Sequence, residues 1–521
     1  MMTPAADAPA DKYRYKYLIG IAVTMAAMLE LIDTSIVNVA IPHMMGNLGA
    51  TLDEISWVST GYIIANVIVI PMSGWLSAYY GRRRYLTGSI ALFVAASFFC
   101  GASRSLEALV FWRVVQGLGG GALLSTAQAV LWEAFPPDEV AIGQAMFGVG
   151  IMVGPTLGPT LGGFIVDNWN WPWIFYINLP LGLIAGMMVW HYVRNAEHQE
   201  RAKTVDWLGI GLLTSGVGAL QWMLERGERY DWFESRFVTS LAVISAASFI
   251  GLVWRELTAK EPVINFRVLK SRQLATGVAM AMLLGFALFG SVFVLPVFLQ
   301  GLHGFTANQT GLVILPGAIA SAVTMAVIGR LGSKIDARPL IALGVLGFLW
   351  CMWSLSQLTL DAGAGDLFWP LIVRGVSLGI IFIPLTSASM AELVPKEIPE
   401  GTGMFNLTRQ LGGSLGIAIV ATLLSRFTFE AKSQLTQHVV TIGTDAQARL
   451  EFISRAMVAR GMNPAISHHQ ALLVMDRMVS GQASVLAFSR IYLISGIALC
   501  ASIPLMFFWH HGKGRAVVQA H

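Results

Sequence analysis

The stretch that decides the fold is VAIGQAMFGVGIMVGPTLGPTLGGFIV, residues 140–166. It contains no charged side chain and is long enough to cross a hydrocarbon core of about 30 Å as a helix. Ten of its consecutive positions, residues 154–163, nevertheless hold four glycines and two prolines. In a helix interior, glycine costs about 1 kcal/mol and proline about 3 kcal/mol. The stretch therefore indicates a membrane helix in which the helix breakers serve packing or bending.

The same apolar character extends over the whole chain of 521 residues, of which 55% are hydrophobic and 12% are charged. Soluble domains contain about 25% charged residues, so lipid has to cover the apolar surface of this chain. We predict an all-α polytopic membrane protein with 14 transmembrane helices, of which the seventh and eighth are short. The predicted spans are 18–41, 56–79, 85–103, 107–131, 140–166, 171–193, 206–224, 237–254, 275–299, 309–329, 339–358, 367–391, 402–425 and 486–509.

The positions of lysine and arginine predict the orientation, because cytoplasmic loops are enriched in both residues. With a cytoplasmic N-terminus, the short outer loops contain only Arg104, Arg226, Arg229 and Arg236, and most other Lys and Arg fall inside. An even number of helices then places both termini in the cytoplasm. The net charge of +4 follows from this topology and does not indicate a nucleic-acid partner.

A faint internal repeat divides the chain into two parts. GWLSAYYGRRR, residues 74–84, is similar to GRLGSKIDARP, residues 329–339, and both join the second and third helices of a six-helix set. Arg113 and Arg374 likewise both fall in a fourth helix. Parallel halves of this kind are one architecture of transporters. We predict an N-terminal six-helix bundle over 1–195, a two-helix insert over 196–274 and a C-terminal six-helix bundle over 275–521.

Segment 426–485 differs from the rest of the chain, since it is mixed polar and far longer than an ordinary connection. The topology places it on the outer side, before the last helix. We expect a long periplasmic loop, which is either functional or disordered.

Several stretches together carry a family resemblance. They are LIDTSIVNVAIP (31–42), GWLSAYYGRRR (74–84), LVFWRVVQGLGGG (109–121), GPTLGG (158–163), WPWIFYINLPLG (171–182) and FNLTRQLGGSLG (405–416). These resemble the signature motifs of the major facilitator superfamily, and the best fit is its fourteen-helix drug–proton antiporter branch, with exporters of the EmrB type. The resemblance implies the major facilitator fold, two six-helix bundles plus two extra helices.

The resemblance also implies roles for three motifs. The antiporter motif of the fifth helix is expected to seal the passage where two moving halves meet, and tight packing without gating is the alternative. It comprises Gly154, Pro155, Gly158, Pro159, Gly162 and Gly163. The cytoplasmic loop motif comprises Gly74, Gly81, Arg82 and Arg83. The helix-four motif comprises Arg113, Gln116 and Gly117.

The cytoplasmic loop departs from the family pattern at one point. Ala78 and Tyr79 occupy positions where the family usually has an aspartate followed by an arginine. The acid is thought to latch the loop to a neighbouring helix end, so that charge relay is in doubt here. We expect Arg82 to Arg84 to act as topology determinants, and Glu133 at the inner end of the fourth helix to be solvated.

Charged residues inside the predicted spans are candidates for proton coupling. Glu30 and Asp33 lie three residues apart on the first helix and share a face. Asp33 is the favoured one, because it belongs to the motif LIDTSIVNVAIP and Glu30 does not. Arg113 needs a partner inside the protein, and the first-helix acids are the obvious ones. A structural hydrogen bond is the alternative for Asp33, a polar position facing the cavity for Glu30, and a static ion pair for Arg113. Secondary candidates are Arg374, Asn406, Arg409 and Glu225, the last of which is expected at the membrane interface.

These observations predict a proton-driven secondary transporter of the inner membrane that exports hydrophobic or amphipathic compounds by alternating access. ATP is not the expected driver, because no Walker A sequence occurs. The alternatives are a proton-coupled importer of the same fold and a polytopic membrane enzyme, for which no interfacial cluster of His, Asp or Glu is visible. We expect no cofactor and no metal. The resemblance implies a periplasmic membrane-fusion adaptor and an outer-membrane channel as partners, with segment 426–485 as the docking element.

Overall fold

The computed structural model describes residues 13–136, 138–195, 205–259, 262–331, 335–441 and 444–509. Within these ranges all regular elements are helices, and 14 of them are long and apolar enough to cross a membrane. This confirms the predicted all-α polytopic fold. Three tail charges that contributed to the predicted orientation, Lys12, Lys513 and Arg515, lie outside the described residues.

The long helices are numbered in chain order, and α14 alone among them is not a spanning helix. Their bounds are α1 Lys16–Leu48, α2 Trp57–Tyr80, α3 Arg82–Ala102, α4 Leu106–Ala134, α5 Val140–Asn168, α6 Asn178–Tyr192, α7 Trp207–Arg226, α8 Arg236–Thr258, α9 Arg272–Leu302, α10 Ala307–Leu331, α11 Ala337–Leu355, α12 Ala364–Met390, α13 Ile398–Thr441, α14 Thr444–Ala459 and α15 Pro464–Cys500. A short helix, Trp173–Tyr176, precedes α6 and completes that span.

Helix α5 runs without interruption through Pro155 and Pro159. Proline removes a backbone donor, but it is tolerated in membrane helices because neighbouring helices, side chains and local adjustments satisfy the freed carbonyls. The glycine- and proline-rich stretch is therefore part of one continuous spanning helix.

The packing of the helices brings two six-helix sets together, which we call the N-terminal half (α1–α6) and the C-terminal half (α9–α13 with α15). Helix α5 lies between α1 of its own half and α10 of the other half, and α2 packs against α13. The insert, α7 with α8, packs through α7 against α2 and α13. The interface between the halves is thus built by α2, α4 and α5 on one side and α10, α12 and α13 on the other.

Segment 426–485 is not the loop that we expected, and its described residues are mainly helical. Helix α13 has 44 residues, which corresponds to about 66 Å, twice the thickness of the hydrocarbon core. Helices α14 and α15 pack together beside this extension. Lys432 of α13 pairs with Asp476 of α15 at 2.8 Å, and Glu430 pairs with Arg490 at 3.4 Å. We call residues 426–441 and 444–485 the outer extension.

Candidate functional site

Asp33, in the middle of α1, is fully buried and accepts hydrogen bonds from three side chains. Arg113 on α4 donates from Nη1 to Oδ2 at 2.5 Å. Gln116 Nε2 and Asn178 Nδ2 each donate to Oδ1 at 2.9 Å. Both the charge and the hydrogen-bonding capacity of this carboxylate are therefore satisfied inside the protein.

Helix α2 as well as α1 fixes the guanidinium of Arg113. Its Nε donates to the Val58 carbonyl at 2.9 Å, and its Cζ lies 4.1 Å from the centroid of the Tyr62 ring. Arg113 Nη1 also donates to Gln116 Oε1 at 2.8 Å. Helix α4 comes close to α2 at Gly117, where a Cβ atom would collide with the Tyr62 carbonyl oxygen. The three residues of the helix-four motif thus act together on one region of α1 and α2.

Two members of this network, Ser97 on α3 and Asn178 on α6, were not among the predicted site residues. Ser97 Oγ accepts from Gln116 Nε2 at 3.2 Å and from Asn178 Nδ2 at 3.0 Å. It donates to the Phe175 carbonyl at 2.9 Å. Asn178 carried a usable signal, since it is an amide inside the apolar stretch WPWIFYINLPLG. Ser97 carried none, because serine is common in membrane helices.

Glu30, one helical turn before Asp33, has different surroundings. It is 5% exposed, and its Oε1 accepts a hydrogen bond from Asn66 Nδ2 at 2.9 Å. Its Oε2 has no hydrogen-bond partner in the part of the chain that the structure describes. Burial of a charged oxygen without a donor costs free energy. The two acids of α1 therefore differ, with Asp33 fully compensated and Glu30 only in part.

A polar contact joins the two halves beside Glu30. Asn406 on α13 donates from Nδ2 to Gln128 Oε1 on α4 at 2.6 Å, and both side chains are buried. Arg409, one turn further along α13, donates from Nη2 to Asn406 Oδ1 at 3.3 Å. Its Nε and Nη1 have no hydrogen-bond partner among the described residues. Arg409 is close enough to Glu30 for the two side chains to interact electrostatically across the interface.

Arg374 on α12 is also buried, but the structure does not bring it to the acids of α1. Its electrostatic neighbours are Cys351 on α11 and Tyr492 on α15, within the C-terminal half. Its Nη1 has no hydrogen-bond partner within the described ranges. Arg374 therefore lies in the fourth helix of its half, as Arg113 does, but its chemical environment is different.

Three glycines of the antiporter motif, Gly154, Gly158 and Gly162, face α1 of their own half. A Cβ atom on Gly154 would lie 2.8 Å from Leu31 Cβ, and one on Gly162 would lie 2.8 Å from Ile36 Cγ1. A Cβ on Gly158 would collide with the Ser35 hydroxyl. Their four-residue spacing forms a stripe of small residues that lets two helices approach closely. This stripe and the face toward α10 lie on different sides of α5, and the role of the motif in sealing the passage stays a prediction.

Other positions on α5 do meet the C-terminal half. A Cβ on Gly148 would lie 2.7 Å from Met325 Sδ, and one on Gly163 would lie 4.0 Å from the Asn308 nitrogen. Near the same end of α10, Thr160 contacts Gly311. Helix α5 therefore contacts α10 along most of its length, through residues that include Gly163 of the antiporter motif.

Gly74 of the cytoplasmic loop motif lies near the C-terminal end of α2, where α2 meets the start of α13. A Cβ atom on Gly74 would lie 3.3 Å from both the Pro399 carbonyl and the Glu400 nitrogen. At the C-terminal end of α10, a Cβ on Gly329 would lie 3.0 Å from the Ala141 carbonyl oxygen at the start of α5. The two halves are thus in contact at the ends of two helix pairs.

The rest of the cytoplasmic loop motif is held within the N-terminal half. Gly81 adopts a φ of +84°, which residues with side chains rarely adopt. Arg82 forms an ion pair with Glu133 at the end of α4, and Arg83 Cζ lies 4.0 Å from the centroid of the Trp190 ring. Glu133 is therefore paired, in contrast to the solvated side chain that we expected. An arginine of the loop reaches the end of α4 even though Ala78 replaces the usual acid.

Glu225 lies exposed near the end of α7, in agreement with an interfacial position. It is not part of the network around Asp33. Among the described residues no group of His, Cys, Asp and Glu is arranged to hold a metal ion.

Comparison with known proteins agrees with this architecture. The family model described as Major Facilitator Superfamily matches residues 23–417. The chain is 32% identical over 489 residues to the multidrug export protein EmrB of Escherichia coli K12, and the match covers 94% of each chain. It is 31% identical over 495 residues to the fatty acid resistance protein FarB of Neisseria gonorrhoeae, with 94% and 96% covered.

Solved structures show the same fold at low sequence identity. The human organic anion transporter MFSD10 (TETRAN) superposes with a TM-score of 0.59 at 13% identity, over 93% of this chain and 99% of that one. The proton:xylose symporter XylE gives a TM-score of 0.56 at 14% identity, over 95% and 99%. The protein is a multi-pass membrane transporter for small molecules and not an enzyme. It belongs to the major facilitator superfamily.

Proposed function

We propose that the protein is a proton-driven antiporter that exports hydrophobic or amphipathic compounds by alternating access. The observation that carries the proposal is the difference between the two acids of α1. Asp33 is fully compensated by Arg113, Gln116 and Asn178, whereas one buried oxygen of Glu30 has no donor among the described residues. A membrane carboxyl group of the second kind is suited to bind and release protons, because a proton on the free oxygen removes the cost of the buried charge.

Glu30 is the proposed proton carrier, and Asp33 with Arg113 is the proposed fixed part of the coupling network. Both acids lie on the same face of α1, so a change at Glu30 acts on a helix that is anchored to α4 and α6 through Asp33. Arg409 connects this site to the other half. A proton on Glu30 weakens its attraction to Arg409, whereas the ionised form strengthens it. Protonation is thereby linked to the interaction between the halves.

Alternating access is the proposed movement, with the N-terminal half rocking against the C-terminal half. The inter-half contacts of α2 with α13 and of α5 with α10 support it, because these helices contain many small residues whose packing can shift. The predicted division at 1–195, 196–274 and 275–521 is retained as the proposed division into moving parts. The driving force would be the proton gradient, with about 2.3 kcal/mol per charge from each 100 mV.

Outward transport of several compounds is proposed from the relatives. Their names describe multidrug export in EmrB and resistance to fatty acids in FarB, and both cover almost the whole chain. These names support an apolar or amphipathic substrate. The proposed location is the inner membrane, with both termini in the cytoplasm.

The outer extension is the proposed docking surface for a periplasmic adaptor that leads to an outer-membrane channel. Its helices carry large apolar side chains that the rest of the described protein does not cover, including Phe429 at 78% and Phe452 at 71% exposure. Exposed apolar side chains on a polar element are typical of protein interfaces. Phe429→Ser with Phe452→Ser should abolish co-purification of the adaptor, while Phe233→Ser, in the loop between α7 and α8, is the control. Adaptor binding by the double variant would place the docking surface elsewhere.

The transport proposal is tested by counterflow of a lipophilic dye in inverted vesicles, with and without an imposed pH gradient. We expect dye accumulation that depends on the gradient and collapses when a protonophore is added. Accumulation without any dependence on the gradient would refute proton coupling. Net dye movement in the same direction as the protons would instead show a proton-coupled importer.

A further inference from the structure

The two insert helices have no role in the proposed transport step, yet the loop between them touches both halves. At the end of α7, Arg226 Nη2 donates to Ser56 Oγ at 2.6 Å. The Arg226 guanidinium carbon also lies 5.4 Å from the Trp57 ring centroid, and the Trp57 and Trp222 rings meet edge to face at 5.0 Å. The outer end of α7 is therefore attached to the start of α2, in the N-terminal half.

Six residues after Arg226, the same loop reaches the C-terminal half. Trp232 Nε1 donates to Thr422 Oγ1 of α13 at 3.0 Å. The Thr422 hydroxyl donates in turn to the Ala418 carbonyl at 2.8 Å, so it acts as both donor and acceptor. The acceptor of the indole N–H is thus fixed in orientation on α13.

The backbone between these two contacts is tightly closed. The Trp232 nitrogen donates to the Gly227 carbonyl at 2.7 Å, and the indole lies over Gly227, where a Cβ would be 2.7 Å from the ring. Asp231 and Trp232 have φ values of 51° and 53°, a left-handed conformation that is unusual for a bulky residue. Two successive strained residues persist only where surrounding contacts determine them, and such strain marks switch regions.

Buried packing along α7 also joins the insert to both halves. Leu213 and Val217 of α7 belong to one apolar cluster with Val67 of α2 and with Met404 and Leu407 of α13. The insert therefore packs against both halves, and the Arg226–Ser56 and Trp232–Thr422 bonds link α2 to α13 at the end of α7.

We propose that the α7–α8 loop is an outer latch, which holds α2 and α13 together through Trp232 and Thr422 and thereby favours the outward-closed state. The proposal rests on the alternating access proposed above. In this proposal the insert shifts the equilibrium between the outward-closed and outward-open conformations. The latch contacts also hold the strained backbone at Asp231 and Trp232 in place.

The test measures the distance between spin labels at the outer ends of α1 and α9. Gly46 and Gly301 are suitable for cysteine substitution, because a Cβ at either position meets no atom within 4 Å. Cys100 and Cys351 are buried, and half-buried Cys500 is replaced by serine. The full-length protein is examined in lipid nanodiscs by pulsed electron paramagnetic resonance.

Trp232→Phe removes the indole N–H but keeps an aromatic ring over Gly227, and Thr422→Val removes the hydroxyl at nearly constant volume. Each should raise the population at long distance about fivefold, the change that corresponds to loss of one hydrogen bond. Because both variants remove the same bond, the double variant should resemble either single one. Trp254→Phe, at an exposed tryptophan of α8, is the control and should match the unsubstituted protein.

Unchanged distance populations in Trp232→Phe and Thr422→Val would overturn the latch, as would an additive effect in the double variant. Counterflow of the dye is recorded on the same proteins. Proton-dependent counterflow together with unchanged distances would leave the transport proposal intact and refute the latch. Counterflow that does not depend on the proton gradient in the unsubstituted protein would refute the transport proposal. The spin-label distances would still show whether the Trp232–Thr422 bond acts as a latch.

Discussion

Arg113 and Arg374 each lie in the fourth helix of their half, but the chemical groups around the two guanidinium groups differ. Arg113 pairs with Asp33 and is joined by the amides of Gln116 and Asn178. The electrostatic neighbours of Arg374 among the residues that the structure describes are a thiol, Cys351, and a phenol, Tyr492, and no carboxylate. The arrangement of helices is thus repeated in the two halves, whereas the pairing of the buried arginine with a carboxylate is not.

The buried charges show the same asymmetry. In the described part of the C-terminal half the buried charged side chains are Arg374 and Arg409, both cations. Buried acids of the spanning helices at the centre of the protein, Glu30 and Asp33, belong to α1. Under the proposed proton coupling, the N-terminal half therefore holds the candidate proton-binding acids, and the C-terminal half contributes positive charge.

The largest expected effect separates the two arginines. Arg113→Ala leaves Asp33 buried without a counter-charge, which costs about 3–5 kcal/mol, and should abolish transport. Arg374→Ala leaves no acid behind and should retain most of the transport activity. Arg113→Lys should keep part of the activity, because the charge survives but the fork geometry does not. Dye counterflow and thermal unfolding of the purified variants measure both effects, and equal losses for the two alanine variants would contradict the asymmetry.

The next largest effect concerns helix packing. Alanine at matching glycines should destabilise the protein to a similar degree in both halves. A Cβ on Gly117 would collide with the Tyr62 carbonyl oxygen of α2, and one on Gly375 with the Gly317 carbonyl oxygen of α10. Alanine at either position should therefore destabilise the protein by about 1–3 kcal/mol. Gly211→Ala is the control, since a Cβ there meets no atom within 4 Å. Thermal unfolding that is unaffected in one of the two variants would show that the helix framework is not repeated as described.

The repeated framework was predictable from the sequence, because apolar runs of spanning length and the similar segments 74–84 and 329–339 are local features. The pairing of Asp33 with Arg113 was also predictable, since a buried charge needs a partner. The direction of the Gly154, Gly158 and Gly162 stripe was not, because small residues fit any close helix contact. The outer extension was missed as a helical element, since its polar composition is equally compatible with a loop.

The smallest expected effect concerns the neighbours of Arg374. Tyr492 is buried, and its hydroxyl has no hydrogen-bond partner in the described part of the chain. Tyr492→Phe should therefore change the free energy of unfolding by no more than about 0.5 kcal/mol and leave transport intact. Asn178→Ala is the counterpart in the N-terminal half, where loss of a bond to Asp33 should reduce transport clearly. A strong loss of transport in Tyr492→Phe would mean that the C-terminal half has an active polar site of its own.

The most direct measurement is proton release by the detergent-solubilised protein when a lipophilic dye is added, followed with a pH indicator in weakly buffered solution near neutral pH. We expect release from the unsubstituted protein and from Arg374→Gln, and no release from Glu30→Gln, although that variant still binds the dye. Undiminished release from Glu30→Gln, or its loss in Arg374→Gln, would contradict the assignment of the proton to α1 of the N-terminal half.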